Sequence, residues 1–298
     1  MNRLIFALVV SVQVGRAGAA VQPASTPQSH DAEVTHSQNP TTNGADDESW
    51  PRGFVRTTLK FSDGAKMNYY LRKGTGPALV LIPGTWGGIW RFSTLIESLP
   101  QAIEVAVVEL RWQSDHRPPS LEMSMEQISD DVLQAIRAMK LEQFVVAGHS
   151  IGGMIAVEIA GRDVPGLVGA IPMEGWTHHT VVRTAFDGTV VARLTEKEEA
   201  QRQANRARGR RHLTPEELDA IGTIWRRWDG YECLMRTSVP VLEIWGDRGG
   251  PRPGRDRLRI PDRTNIDLGW IPDASHLVLL EDPAEVSRLI LEFLRRLN

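Results

Sequence analysis

The sequence predicts a mostly parallel, doubly wound α/β sheet with a small helical insertion, and three observations carry that reading. Short apolar runs at Ala78–Ile82, Val105–Val108, Phe144–Ala147 and Val241–Trp245 are mostly bounded by Gly, Pro or charge, as strands covered on both faces are. Amphipathic helical stretches lie between and after them. The alternation is interrupted once, over residues 177–235, where charge-rich helical sequence replaces strands. Strands alternating with helices imply a sheet whose ligand site lies at the carboxyl ends of its strands, so motifs at strand ends carry the most weight.

The elements follow in chain order. Residues 1–20 read as a secretory signal peptide: a short basic start at Arg3, an apolar run from Leu4 to Val14, and the small residues Ala17-Gly18-Ala19. That run is too short to span a bilayer, and no other stretch is long enough, so no integral membrane span is expected and the protein is placed as secreted or periplasmic. Residues 21–49 combine Gln, Ser, Thr, Asn and Pro with five acids and no Lys or Arg, the composition of a disordered acidic linker. The folded domain is expected over residues 50–298. It opens with a hairpin, Phe54–Phe61 and Lys66–Leu71 around Ser62-Asp63-Gly64. A helix is predicted where Met125, Ile128, Val132, Ile136 and Met139 share one face behind a Ser124 to Gln127 capping box. A last helix carries Val286, Leu289, Ile290, Phe293 and Leu297 behind Asp282-Pro283.

Composition excludes several function classes. The 298 residues hold 34 Lys plus Arg against 37 Asp plus Glu. Setting aside Arg3, Arg16 and the five linker acids leaves 32 of each from Trp50 onward, a balance unsuited to holding nucleic acid and better matched to a small, weakly charged substrate. Cys233 is the only cysteine, so neither an intrachain disulfide nor a cysteine metal site can form. His178 and His179 lack a third spaced ligand, are placed at the pocket mouth or in the insertion, and imply no metal. No cofactor is implied, and nothing fixes the oligomeric state.

The motif with most chemical content is Val145-Val146-Ala147-Gly148-His149-Ser150-Ile151-Gly152-Gly153, a G-x-S-x-G sequence between an apolar strand and the helical run Met154 to Ala160. A strand ending in a sharp turn that opens a helix lifts Ser150 into the open. The backbone N–H of Ile151 is then free to stabilise an oxyanion.

With these residues the chain from about Phe54 to Leu297 resembles α/β-hydrolase-fold proteins of the compact lipase and esterase kind. Leu79 to Gly88 is similar to the family's strand and oxyanion loop, and the resemblance assigns Thr85 the second main-chain donor, although Pro83 stands where His is usual. Leu110–Ser114 occupies the place of a family loop whose glycines it lacks, so it is assigned no role. The resemblance implies that His276, between the strand-like Ile266–Ile271 and the last helix, is the base for Ser150. The family's usual acid position falls on Gly249. Glu174, at the end of Leu167–Met173, is favoured as the acid by the family's alternative location, with Asp247 as the other candidate. Trp86 and Trp176, at the ends of two strands, are expected to contact substrate.

Residues 177–235 then resemble the small helical cap that the family inserts over its active site. Its Arg202, Arg206, Arg208, Arg210 and Arg211 are expected to pair on the helix surface with the preceding glutamates rather than bind an anion. Trp225 and Trp228, spaced i, i+3, are expected to share one face, serving either the pocket or core packing. The resemblance implies a serine hydrolase of carboxylic esters. The same site on a lactone, amide or carbon–carbon bond is an alternative, and a catalytically inactive binding module is another.

Overall fold

The computed structural model describes residues 33–35, 53–86, 88–113, 123–186, 193–210 and 213–297, all within the unit Asp31–Asn298. The expected signal peptide lies outside the described residues. So does most of the expected linker, except that Glu33–Thr35 forms a short strand, β1, paired antiparallel with β2 (Val55–Lys60). Pairing there satisfies backbone groups that an edge strand otherwise leaves free.

β2 and β3 (Lys66–Arg72) make the expected hairpin, with Thr57 opposite Tyr69. The remaining strands are β4 (Thr75–Ile82), β5 (Ile103–Val108), β6 (Phe144–His149), β7 (Leu167–Met173), β8 (Val241–Gly246) and β9 (Ile266–Ile271). The sheet runs β1-β2-β3-β5-β4-β6-β7-β8-β9 and is parallel from β5 onward.

Helices α1 (Ser93–Ser98), α2 (Met125–Met139) and α3 (Ile151–Ala160) follow β4, β5 and β6. The alternation of side chains along a strand divides the core into two faces. Val80 and Ile82 of β4 and Val146 of β6 join α2 and α3, whereas Leu79, Leu81 and Val145 join α1 and the C-terminal helix. The capping box of α2 forms, with the Gln127 amide donating to Ser124 Oγ and the Ser124 amide to Gln127 Oε1.

The insertion between β7 and β8 contains α4 (Val181–Thr184), α5 (Glu196–Arg210) and α6 (Pro215–Arg227), with α7 (Tyr231–Arg236) just past its end. Its neck is closed by an antiparallel bridge between His178 and Asp229 and by the Gly230 N–H donating to the Thr177 carbonyl at 2.7 Å. Beyond β8 lie α8 (Arg255–Leu258), α9 (Val278–Glu281) and α10 (Pro283–Leu297). Among the described residues no helix is long and apolar enough to cross a membrane.

Candidate active site

Ser150 stands between β6 and α3 with φ 58° and ψ −124°, in the region that side chains other than glycine's rarely occupy. Strain of this kind costs on the order of 1–3 kcal/mol and persists where surroundings overdetermine it. Here the Ser150 N–H donates to Met173 O at 3.0 Å, and its carbonyl accepts from Gly153 and Met154. The turn admits no side chain beside it: a Cβ on Gly152 would stand 2.0 Å from the Ile82 carbonyl oxygen, and one on Gly148 the same distance from Gly152 O. Ser150 itself is half-buried, and Ile151 supplies the first amide of α3, one of the helix's unpartnered N–H groups.

His276 lies in the segment between β9 and α9, with Nδ1 3.2 Å from Glu174 Oε2. A carboxylate only accepts, so Nδ1 carries the proton and Nε2 is left as the basic nitrogen. The ring packs between Trp176 and His149, with centroids 5.0 and 4.8 Å away.

Glu174 follows β7 directly, at φ 51°, with its amide donating to Ile244 O. Its buried carboxylate accepts from the Gly246 N–H at 2.8 Å and from the Arg248 guanidinium on both oxygens. Burial raises its pKa, but the charge of Arg248 and the hydrogen bonds from His276 and Arg248 outweigh burial and hold it at about 2. Arg248 is fixed in turn over the Phe186 ring, 3.7 Å from its centroid.

Asp247 faces the other way. Its Oδ1 accepts the amides of Asp273 at 2.6 Å and Gly249 at 3.0 Å, and its Oδ2 lies 3.4 Å from Arg252 Nε. The carboxylate brought to His276 is therefore that of Glu174.

His149 is fully buried, and its Nε2 donates to the His276 carbonyl at 2.7 Å. Burial, then the nearby His276 and Arg91, push its pKa well below the usual histidine value, so it is a neutral strut beneath His276.

Thr85 and Trp86 lie in the loop after β4, which runs against Ser150: a Cβ on Gly84 would come within 3.2 Å of Ser150 Cβ. Gln113 Nε2 donates to Gly84 O at 2.6 Å and Trp112 Nε1 to Thr85 O at 3.1 Å, so the loop's carbonyls are tied back. Trp176 meets Trp225 of α6 edge-on at 5.9 Å. Trp228 leaves that face, is buried, and donates from Nε1 to Glu158 Oε2 at 2.9 Å. His178 bonds to Thr180 Oγ1 at the neck, with its ring 4.2 Å from that of His179. Among the described residues no three His, Cys, Asp or Glu are grouped to hold a metal.

Residues 79–289 match the sequence model of the alpha/beta hydrolase family. The chain belongs to that family. The enol-lactonase of Burkholderia xenovorans LB400 superposes with a TM-score of 0.64 at 20% identity, over 78% of this chain and 97% of that one. A hydrolase of Pseudomonas aeruginosa PA01 gives a TM-score of 0.66 at 18% identity, over 80% and 98%. N-formylmaleamate deformylase of Pseudomonas putida is 25% identical over 107 residues, 36% of this chain and 40% of the deformylase. The chain spans about half or less of the length of the curated relatives it matches.

In this alpha/beta hydrolase, three contributors escape sequence reasoning. Arg248 anchors Glu174 across 74 positions of chain, His149 carries the His276 backbone, and the Trp112-Gln113 pair braces the Thr85 loop. The one available signal was the pair of donors, Trp112 and Gln113, just beyond the end of β5.

Proposed function

We propose that this protein is a serine hydrolase that cleaves a carboxylic ester of a small substrate. The observation carrying the reading is the buried Glu174 carboxylate on His276 Nδ1, with the His276 ring 4.8 Å from that of His149, the residue before the strained Ser150. Ser150 Oγ attacks the carbonyl carbon while His276 Nε2 takes its proton, and the Thr85 and Ile151 amides receive the oxyanion. Collapse expels the alcohol, which leaves with the proton from His276, and water then repeats the sequence on the acyl-enzyme. Glu174 stays ionised, holds the tautomer and stabilises the imidazolium. Trp86 and Trp176 flank the substrate. The likeness to an enol-lactonase favours a lactone as the second reading, since a lactone is an internal ester opened by the same steps.

Ser150→Ala should fold normally and lose at least about 10³ in kcat on 4-nitrophenyl esters, with labelling by a fluorophosphonate abolished. Wild-type turnover in that variant overturns the reading. We further propose export to the periplasm or medium after cleavage near Ala20. Recovery of a cytoplasmic protein still carrying Met1 contradicts it.

A further inference from the structure

Arg202, Arg206 and Arg210 recur every four residues and so form one stripe along α5. The stripe comes down on the loop after β4. The Arg210 guanidinium lies 5.3 Å over the Trp86 ring, and a Cβ on Gly209 would stand 3.3 Å from the Trp86 carbonyl oxygen. Arg91 belongs to the short 3₁₀ turn Ile89–Phe92, which follows this loop.

The arginines differ in what neutralises them. Arg202 is held by Glu199 through two hydrogen bonds, as surface pairing predicts. Arg206 and Arg91 have no hydrogen bond or ion pair among the described residues, and Arg91 Nη1 is sealed from solvent without a partner. Leaving a desolvated guanidinium unpaired is costly. Burial and then the charges of Arg202 and Arg206 bring the Arg91 pKa down to about 10, and the one carboxylate that acts on Arg206, Glu199, is already held by Arg202 through two hydrogen bonds. Arg91 is also close enough to weigh on the titration of His149, the residue before Ser150.

We propose that Arg91 and Arg206 form a carboxylate-binding subsite beside Ser150, so that the substrate is an ester bearing a free carboxylate. Two guanidiniums and one planar anion with two oxygens are a matched set, and the hydrogen bonds between them are charge-assisted. Arg91 comes from the sheet domain and Arg206 from the insertion, so a bound carboxylate also ties the insertion to the loop that carries Thr85. The proposal rests on the serine-hydrolase reading for its position relative to the scissile bond.

The test compares mono-4-nitrophenyl glutarate with 4-nitrophenyl pentanoate, chains of equal length of which one ends in a carboxylate. Wild type should favour the glutarate in kcat/KM by about tenfold or more. Arg91→Gln and Arg206→Gln should each bring that ratio close to one, mainly through KM for the glutarate. Arg206 is on a half-exposed helix face, so the second variant serves if the first does not fold. A wild-type ratio of one, or a preference that survives both substitutions, overturns the subsite while leaving Ser150-dependent turnover of both esters intact. If neither ester is cleaved, the serine-esterase reading fails and the subsite is judged by calorimetric titration with glutarate. Saturable binding weakened at least tenfold in Arg206→Gln then supports it, and no saturable heat in wild type refutes it.

Discussion

Replacing Glu174 by Gln keeps its shape and removes its charge, and the surroundings set the cost. The carboxylate is held at about 2 against an ordinary value near 4.5, and a difference of some 2.5 units at 1.36 kcal/mol each is roughly 3 kcal/mol. The figure agrees with the roughly 3–5 kcal/mol lost when one partner of a buried ion pair is removed. Arg248, only 11% exposed, would be left without a counter-charge. Glu174→Gln should therefore lose about 3 kcal/mol in urea unfolding at pH 7 and lower kcat by on the order of 10² to 10⁴. A depressed carboxylate stabilises the fold above its unfolded value near 4.5 and ceases to as pH falls toward 2, so the gap between variant and wild type should close over that window. Asp247→Asn keeps an oxygen for the amides of Gly249 and Asp273 and should stay within about threefold in kcat, as an interaction outside the transition state does. Initial rates on one nitrophenyl ester, with circular dichroism on each variant, decide the matter. A folded Glu174→Gln enzyme near wild-type kcat, or a larger loss in Asp247→Asn, refutes the assignment of the acid.

Two further outcomes are expected. Glu243 on β8 is buried, and burial pushes its pKa up to about 8 against the opposing pull of the Trp245 indole and the charge of Arg255. Its raised value costs stability as pH climbs from about 4.5 to 8, so Glu243→Gln should be the more stable protein at pH 8 by up to about 4 kcal/mol and converge with wild type near pH 4, a trend that urea midpoints across pH would expose. Cys233 is buried against Glu158, and burial followed by that carboxylate lifts its thiol to about 12, so it should react with a disulfide reagent only on unfolding. Rapid titration of the native protein at pH 8 would contradict this.

The central strands of the parallel sheet were legible because burial on both faces leaves an uninterrupted apolar run, and β4, β5, β6 and β8 fall where those runs lie. Ser150 was legible because the turn it occupies demands small neighbours at fixed positions. Choosing between Glu174 and Asp247 was a different matter, since both end a strand next to His276. What separates them is that Asp247 is consumed by the amide of Asp273, 26 residues away, and no local pattern encodes that contact. The i, i+3 spacing of Trp225 and Trp228 misled for a local reason. α6 stops at Arg227, and Trp228 turns to extended backbone, so the two rings do not share a helical face. The arginine stripe was legible as a pattern, but its lack of partners at Arg206 and Arg91 depends on what the insertion folds onto.

The closed neck of the insertion has an evolutionary meaning. Because the chain returns at Asp229 and Gly230 to where it departed at Thr177 and His178, everything between is one contiguous excursion tied at its base. Its length can change at little loop-closure cost, since the ends stay tied whatever lies beyond them. Descendants of this scaffold can therefore vary the length of this one contiguous segment, provided Phe186 under Arg248 and Trp228 on Glu158 are kept.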